Sequence, residues 1–177
     1  MHKNVMRLTT AICFVVTIIA SILFYCFNRD IYLTLAVTFG TTAYHLGMRM
    51  MVGFLYHVFM KNRVDYTRKW FQTCLWEQTL YRRLKVKAWK NKMPTYNREG
   101  FSVKEHTLHE IAQAMCQSEL VHETNIVLSF LPLIAVQWFG SFYVFLLTSI
   151  GGAIFDLVFV LIQRYNRPRV IRIAAKK

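Results

Sequence analysis

Acidic residues are scarce in this chain. Its 177 residues include 22 Lys and Arg against 9 Asp and Glu, a formal net charge of +13. On a soluble domain such an excess would point to nucleic acid. Here the basic residues alternate with long uncharged runs, so nucleic acid is not an expected partner. A basic collar facing anionic phospholipid headgroups, or an anionic cofactor, accounts for the charge better. Cysteine is equally uninformative as a scaffold: Cys13, Cys26, Cys74 and Cys116 show no CxxC spacing, which excludes a disulfide framework and a zinc knuckle. Cys13 and Cys26 sit in an apolar run, where they read as small hydrophobes. A glycine-rich phosphate loop is missing too, leaving no soluble-type nucleotide site. The chain has no internal repeat and no low-complexity segment.

Apolar residues fill the gap. They make up 55% of the sequence and aromatics 15%, more than a soluble core of this size absorbs. Residues 8–27 carry no charge and are long enough, at about 1.5 Å per residue, to cross a hydrocarbon core of about 30 Å. Lacking an A-x-A cleavage site and followed at once by a second apolar run, they read as a retained first span rather than a signal peptide. After the polar turn Asn28, Arg29, Asp30, residues 31–52 form a second span. Residues 125–139 and 141–162 form a third and a fourth, joined by a tight turn at Gly140 and Ser141. Pro132 is expected to kink the third by removing a backbone hydrogen bond. The fold class predicted is all-α: a polytopic membrane protein, a single membrane domain over residues 1–177, with about four transmembrane helices.

Between the second and third spans, residues 61–120 hold twelve Lys and Arg residues interleaved with Trp70, Phe71, Leu75, Trp76, Leu80, Leu84 and Trp89. Spacings of three to five predict an amphipathic helix lying on the membrane surface, with the three tryptophans at headgroup level. Met93, Pro94 and Thr95 should break it. A second polar helix then starts near Ser102, where Ser102 and Glu105 fit a capping box, and runs toward His122. The N-terminus, this central segment and the C-terminal tail carry nearly all the Lys and Arg residues, while the turns between spans hold only Arg29. The positive-inside bias therefore places both termini and the central segment in the cytoplasm and the protein in the cell membrane, as a multi-pass protein.

Four groups of residues can carry chemistry. Glu119 and His122, three apart on a helix, project from one face. A carboxylate that accepts one ring N–H of an imidazole leaves the other nitrogen as a general base, the arrangement that acyl transfer to a hydroxyl needs. An interfacial helix with ordinary polar residues has the same spacing. ExxH is also half of a di-iron pattern, but no second ExxH occurs, and His106, His109 and Glu110 are the only further ligand candidates; no metal site is expected. Gln163, Arg164, Tyr165, Asn166, Arg167, Pro168 and Arg169 follow the fourth span. Their guanidinium, amide and phenol groups suit phosphates or an oxyanion, whereas a plain basic anchor needs Lys and Arg alone. Asp156 lies within the fourth span, where a carboxylate either pairs, with His45 or Arg49 at similar depth, or lines a pocket. Cys116 is either an acyl-thioester carrier or a buried thiol.

At these positions the sequence resembles the bacterial glycosyl-4,4'-diaponeurosporenoate acyltransferase family, small membrane enzymes that esterify the sugar of a carotenoid glycoside with a fatty acyl chain. The resemblance rests on Trp89 and Lys90 in KAWKNKMP, on Glu119, Leu120 and His122 in SELVH, on the LPL that follows, and on VLIQRYNRPR closing the last span. It covers about the last hundred residues, and QRYNRPR is its most specific part. It implies acyl transfer at the membrane surface, carotenoid biosynthesis as the setting, and His122 and Glu119 as catalytic residues. Trp89, Lys90, Gln163, Arg164, Tyr165, Asn166, Arg167 and Arg169 would bind substrate. The partners implied are a fatty acyl donor, a membrane lipid or glycolipid acceptor and anionic phospholipid headgroups, with no cofactor beyond the acyl donor. A carotenoid glycoside, another lipid-linked sugar and a hydroxylated lipid all fit as acceptor. Two other classes stay open on the residues: a small membrane methyltransferase or reductase, and a non-catalytic adaptor whose basic helix binds anionic lipid.

Overall fold

The computed structural model describes residues 3–93 and 99–176, and it is helical, with no strand among the described residues. Helix α1 spans Lys3–Phe27 and α2 Asp30–Met60. Three helical stretches are long and apolar enough to cross a membrane: Asn4–Phe27, Leu108–Phe139 and Phe142–Ala174. The expected second span differs. Helix α2 has the length, 31 residues, but Thr34, Thr38, Thr41, Thr42, His45 and Arg49 reduce its apolarity.

The chain forms two compact units, Met1–Val52 with Asn125–Phe155, and Gly53–Thr124 with Asp156–Lys177. In the first unit, Leu8, Ile12, Val15, Ile19 and Ile22 on α1 are each more than half exposed. Their steps of four and three make an outward apolar stripe of the kind that lipid covers. The inner side of α1 carries Met6, Cys13 and Ala20, flanked by self-satisfied threonines: the hydroxyls of Thr10 and Thr17 donate to carbonyls four residues back, at 2.8 and 2.7 Å. These threonines meet glycines of α2. A Cβ on Gly40 would lie 3.3 Å from Thr17 Cγ2, and one on Gly47 3.8 Å from Thr10 Cγ2. The seven-residue step on both helices keeps small residues facing each other, the device by which membrane helices approach closely. Gly40→Leu should therefore push α1 off α2 and cost about 1–3 kcal/mol by overpacking. Thermal unfolding in detergent would show a lowered midpoint, and an unchanged midpoint would mean that the contact does not hold the pair.

On the other face of α2 the buried residues are Val37, Thr41, His45, Met48 and Val52. Tyr44 OH donates to Leu128 O at 2.9 Å, and the Arg49 guanidinium to His45 O at 2.7 Å and Gly152 O at 2.9 Å. A Cβ on Gly152 would come within 3.1–3.2 Å of Arg49, His45 and Ser129 side chains, so glycine is what lets this polar group close.

The central segment is not one surface helix. It breaks into a 3-10 turn Lys69–Phe71, helix α3 Leu75–Arg83, helix α4 Val86–Trp89 and a 3-10 turn Lys90–Lys92. Trp70, Trp76 and Trp89 thus stand on three separate elements. The break between α3 and α4 is Lys85, in the left-handed region at φ 50°, and the apolar residues do not share a face: Phe71 and Val86 are buried while Leu75 is almost fully exposed. Of the expected break, Met93 ends the last turn; Pro94 and Thr95 lie outside the described residues.

Helix α5 spans Leu108–Leu128 and begins one capping box later than expected. Thr107 Oγ1 accepts from Glu110 N, and Glu110 Oε2 accepts from Thr107 N, while Ser102 only closes a turn with Glu105 and His106. The helix then runs on without a boundary at His122 or Asn125, so the surface helix and the expected third span are continuous. No Gly or Pro interrupts residues 108–128, and the polar side chains that suggested an interface find protein partners instead. Ser129 and Phe130 end α5, Pro132 falls in a 3-10 turn, Leu131–Ala135, and α6 spans Val136–Phe139. Gly140 and Ser141, both at positive φ, make the expected tight turn. Helix α7 then runs from Phe142 to Ala174, carrying the QRYNRPR block on its last turns rather than in a tail.

Candidate functional site

Glu119, His122, Asp156, Trp89, Lys90 and the QRYNRPR block lie in the second unit, on α5, α7 and the α3–α4 segment. His122 Nδ1 is 2.8 Å from Asp156 Oδ1; the carboxylate is fully buried and the imidazole side chain 20% exposed. Phe159, three residues beyond Asp156 on α7, stacks on the imidazole with centroids 4.8 Å apart and planes 12° off parallel. One face of α7 therefore supplies both the anion that takes the ring N–H and the surface that holds the ring plane. With Nδ1 engaged, Nε2 is the nitrogen that can accept a proton.

Asp156, not Glu119, orients His122. Glu119 is fully buried and accepts from Arg164 Nη1 at 2.6 Å and from Arg167 Nη1. In a dry interior a carboxylate is far better matched by two guanidinium ions than by a neutral imidazole on its own helix. Arg164 also grips Glu77 through Nε at 3.1 Å and Nη2 at 2.7 Å. Both arginines also donate to carbonyls: Arg164 to Trp70 and Gln72, Arg167 to Phe71, whose ring lies 5.1 Å under its guanidinium. Two carboxylates and two guanidiniums thus neutralise each other and pin the turn over residues 70–72. Trp70 Nε1 adds a bond to Glu123 at 3.0 Å. Burial works against charge on Glu77, but hydrogen bonds from Arg164, Tyr81 and the Cys74 N–H outweigh it and hold the carboxyl below the usual range. Burial and the neighbouring Glu77 push the Tyr81 phenol up, so it stays a donor.

The QRYNRPR block is sorted by helical period. Gln163, Arg164 and Arg167 turn inward, Gln163 donating to Ser118 Oγ at 3.2 Å. Tyr165 and Arg169, four apart, turn to the other side, where Arg169 lies 4.0 Å and Lys90 5.1 Å from the Tyr165 ring centroid. Lys90 Nζ donates to Asn166 Oδ1; its partial burial and the positive Arg169 lower its pKa. Trp89 has its indole N–H on Leu84 O at 2.8 Å, closing the end of α3. Cys116 is fully buried against Val64 and Phe71, which fits the buried thiol of the two readings. Among the described residues, His, Cys, Asp and Glu do not gather in threes as metal ligands would.

Sequence reasoning missed Glu77 and the pairing of Asp156 with His122. The signal for Glu77 was available: it is the lone acid between Asp65 and Glu99, inside the most basic stretch of the chain. Nothing in the sequence says which of two acids, one three residues away and one on another helix, reaches the imidazole.

No curated protein and no solved structure matches the chain. A family model described as glycosyl-4,4'-diaponeurosporenoate acyltransferase matches residues 67–176, a stretch that holds the His122–Asp156 pair, both buried carboxylates and the whole basic block. It takes in more than half of the chain, which therefore belongs to the glycosyl-4,4'-diaponeurosporenoate acyltransferase family.

Proposed function

We propose that this protein esterifies a hydroxyl of a membrane lipid with a fatty acyl chain, the acceptor being a lipid-linked sugar such as a carotenoid glycoside. The family supports acyl transfer in carotenoid biosynthesis, and one observation carries the assignment of roles: an imidazole held by a buried carboxylate at 2.8 Å. Nε2 of His122 takes the proton of the acceptor hydroxyl as its oxygen attacks the acyl carbonyl. The imidazolium formed is stabilised by Asp156 and returns the proton to the leaving group as the bond from acyl carbon to leaving group breaks. Base and proton donor are then one residue, and the reaction needs an acyl donor and no other cofactor. Glu119, Arg164 and Arg167 hold the frame in which this happens.

The test is lipid profiling of cells that make a carotenoid glycoside, with and without this protein. A product heavier by one acyl chain supports the reading; its absence in cells that insert the protein in their membranes counts against it. We place both termini and the α3–α4 segment in the cytoplasm, because that side gathers the Lys and Arg residues. A cysteine at the exposed Val103 should react with an impermeant maleimide only after the cells are opened, and labelling of intact cells would reverse the orientation.

A further inference from the structure

The second unit has a cavity of about 420 Å³ whose lining includes Arg82, Lys87, Arg169 and Arg172, together with Tyr81, Tyr165 and Arg164. Among the described residues, no Asp or Glu lines it. Arg164 is neutralised by its two carboxylates, but the other four cations are exposed, and no carboxylate among the described residues bonds to them. Four like charges around one hollow repel each other unless an anion fills it. The hollow is also shaped: Arg169 and Lys90 bracket the Tyr165 ring, Tyr81 meets that ring edge-on at 5.5 Å, and Tyr81 OH is tied to Glu77. The neutral network thus forms the back of a cup whose rim is exposed and cationic. Cations come from both α3–α4 and α7, so a ligand with more than one anionic group can bridge the two.

We infer that this cup binds the phosphate groups of the acyl donor, and that Arg82, Lys87, Arg169 and Arg172 are the residues that recognise it. The inference rests on the acyl-transfer reading for the word donor, and on the cavity alone for the word phosphate. Arg82, Lys87 and Arg172 lie outside the QRYNRPR block. Within that block the phosphate role passes from Arg164 and Arg167, which are engaged with buried carboxylates, to Arg169. Phosphates of this kind occur on a soluble acyl thioester carrier and on a phospholipid headgroup, and the two share the same chemistry at the cup.

Binding is measured on the full chain in phosphatidylcholine nanodiscs, with palmitoyl-coenzyme A as one probe and, in separate discs, phosphatidylglycerol as the other. Arg82→Gln combined with Arg172→Gln should weaken one probe at least about tenfold, the effect of losing a charge-assisted hydrogen bond, and flatten its salt dependence. Lys87→Gln alone is the second variant, in case the double variant does not fold. Lys104→Gln, an exposed cation outside the cup, should change nothing. Loss confined to palmitoyl-coenzyme A identifies a thioester donor, and loss confined to phosphatidylglycerol a phospholipid donor. Unchanged binding of both probes overturns the inference, as does an equal loss with Lys104→Gln, which would be diffuse attraction of a basic face. Acyl product is followed in parallel. A wild-type protein that binds through the cup but makes no ester leaves the phosphate site standing and defeats the acyl-transfer reading. One that makes ester with the same KM in the cup variants does the reverse.

Discussion

His122→Ala should lower acyl transfer by roughly 10²- to 10⁴-fold, the usual contribution of a positioned general base, while leaving the amount of inserted protein near wild type. The imidazole is partly exposed and its Nδ1 is bonded to Asp156, so the change removes a proton acceptor without opening a well-packed core. The fall should appear in kcat and kcat/KM together, since the base acts in the transition state and not in holding substrate. Asp156→Asn should also reduce kcat, because an amide steadies the imidazolium less than a carboxylate does. Ester formation at wild-type rate by a properly inserted His122→Ala protein would remove the base from the mechanism.

Glu119→Ala should fail differently. It strips the carboxylate from Arg167, which is 1% exposed, and leaves that guanidinium buried with carbonyl and ring contacts. Removing one member of a buried ion pair typically costs about 3–5 kcal/mol, comparable to much of the stability of a domain of this size. The expected readout is a lower thermal midpoint in detergent and less protein in the membrane, with any remaining folded fraction close to normal in specific activity. A Glu119→Ala protein of wild-type stability and greatly reduced kcat would return Glu119 to the catalytic role that its spacing from His122 first suggested. The two variants together separate the frame from the chemistry.

The parts of this molecule that follow from chain-local physics were legible in the sequence. Apolar runs long enough to cross a bilayer identified α1 and α7, and Gly140 with Ser141 marked the turn before α7. The functional region was legible as a list of residues, since Glu119, His122 and the QRYNRPR block all fall in one unit. Their roles were not. Two residues three apart share a helix face, but which partner each takes depends on a helix 34 residues away in sequence for His122 and 45 to 48 away for Glu119. The central segment misled for a related reason. Its apolar spacing is compatible with one helix, yet the left-handed residue that breaks it is a lysine rather than a glycine, and Phe71 is drawn inward by Arg167 instead of facing lipid beside Trp70. The boundary placed at His122 failed because polarity was taken as a sign of water, whereas Gln117, Glu119 and His122 are satisfied by protein.

The buried network also imposes an order on biosynthesis. Glu77 and Glu119 leave the ribosome well before Arg164 and Arg167, and until α7 emerges both acids lack their guanidinium partners and the carbonyls of residues 70–72 their donors. Early segments can enter the membrane, but the second unit can close only when α7 arrives, so α7 acts as its latch. A chain stalled short of Arg164 would display two carboxylates without their guanidinium partners at the point where a complete α7 neutralises them.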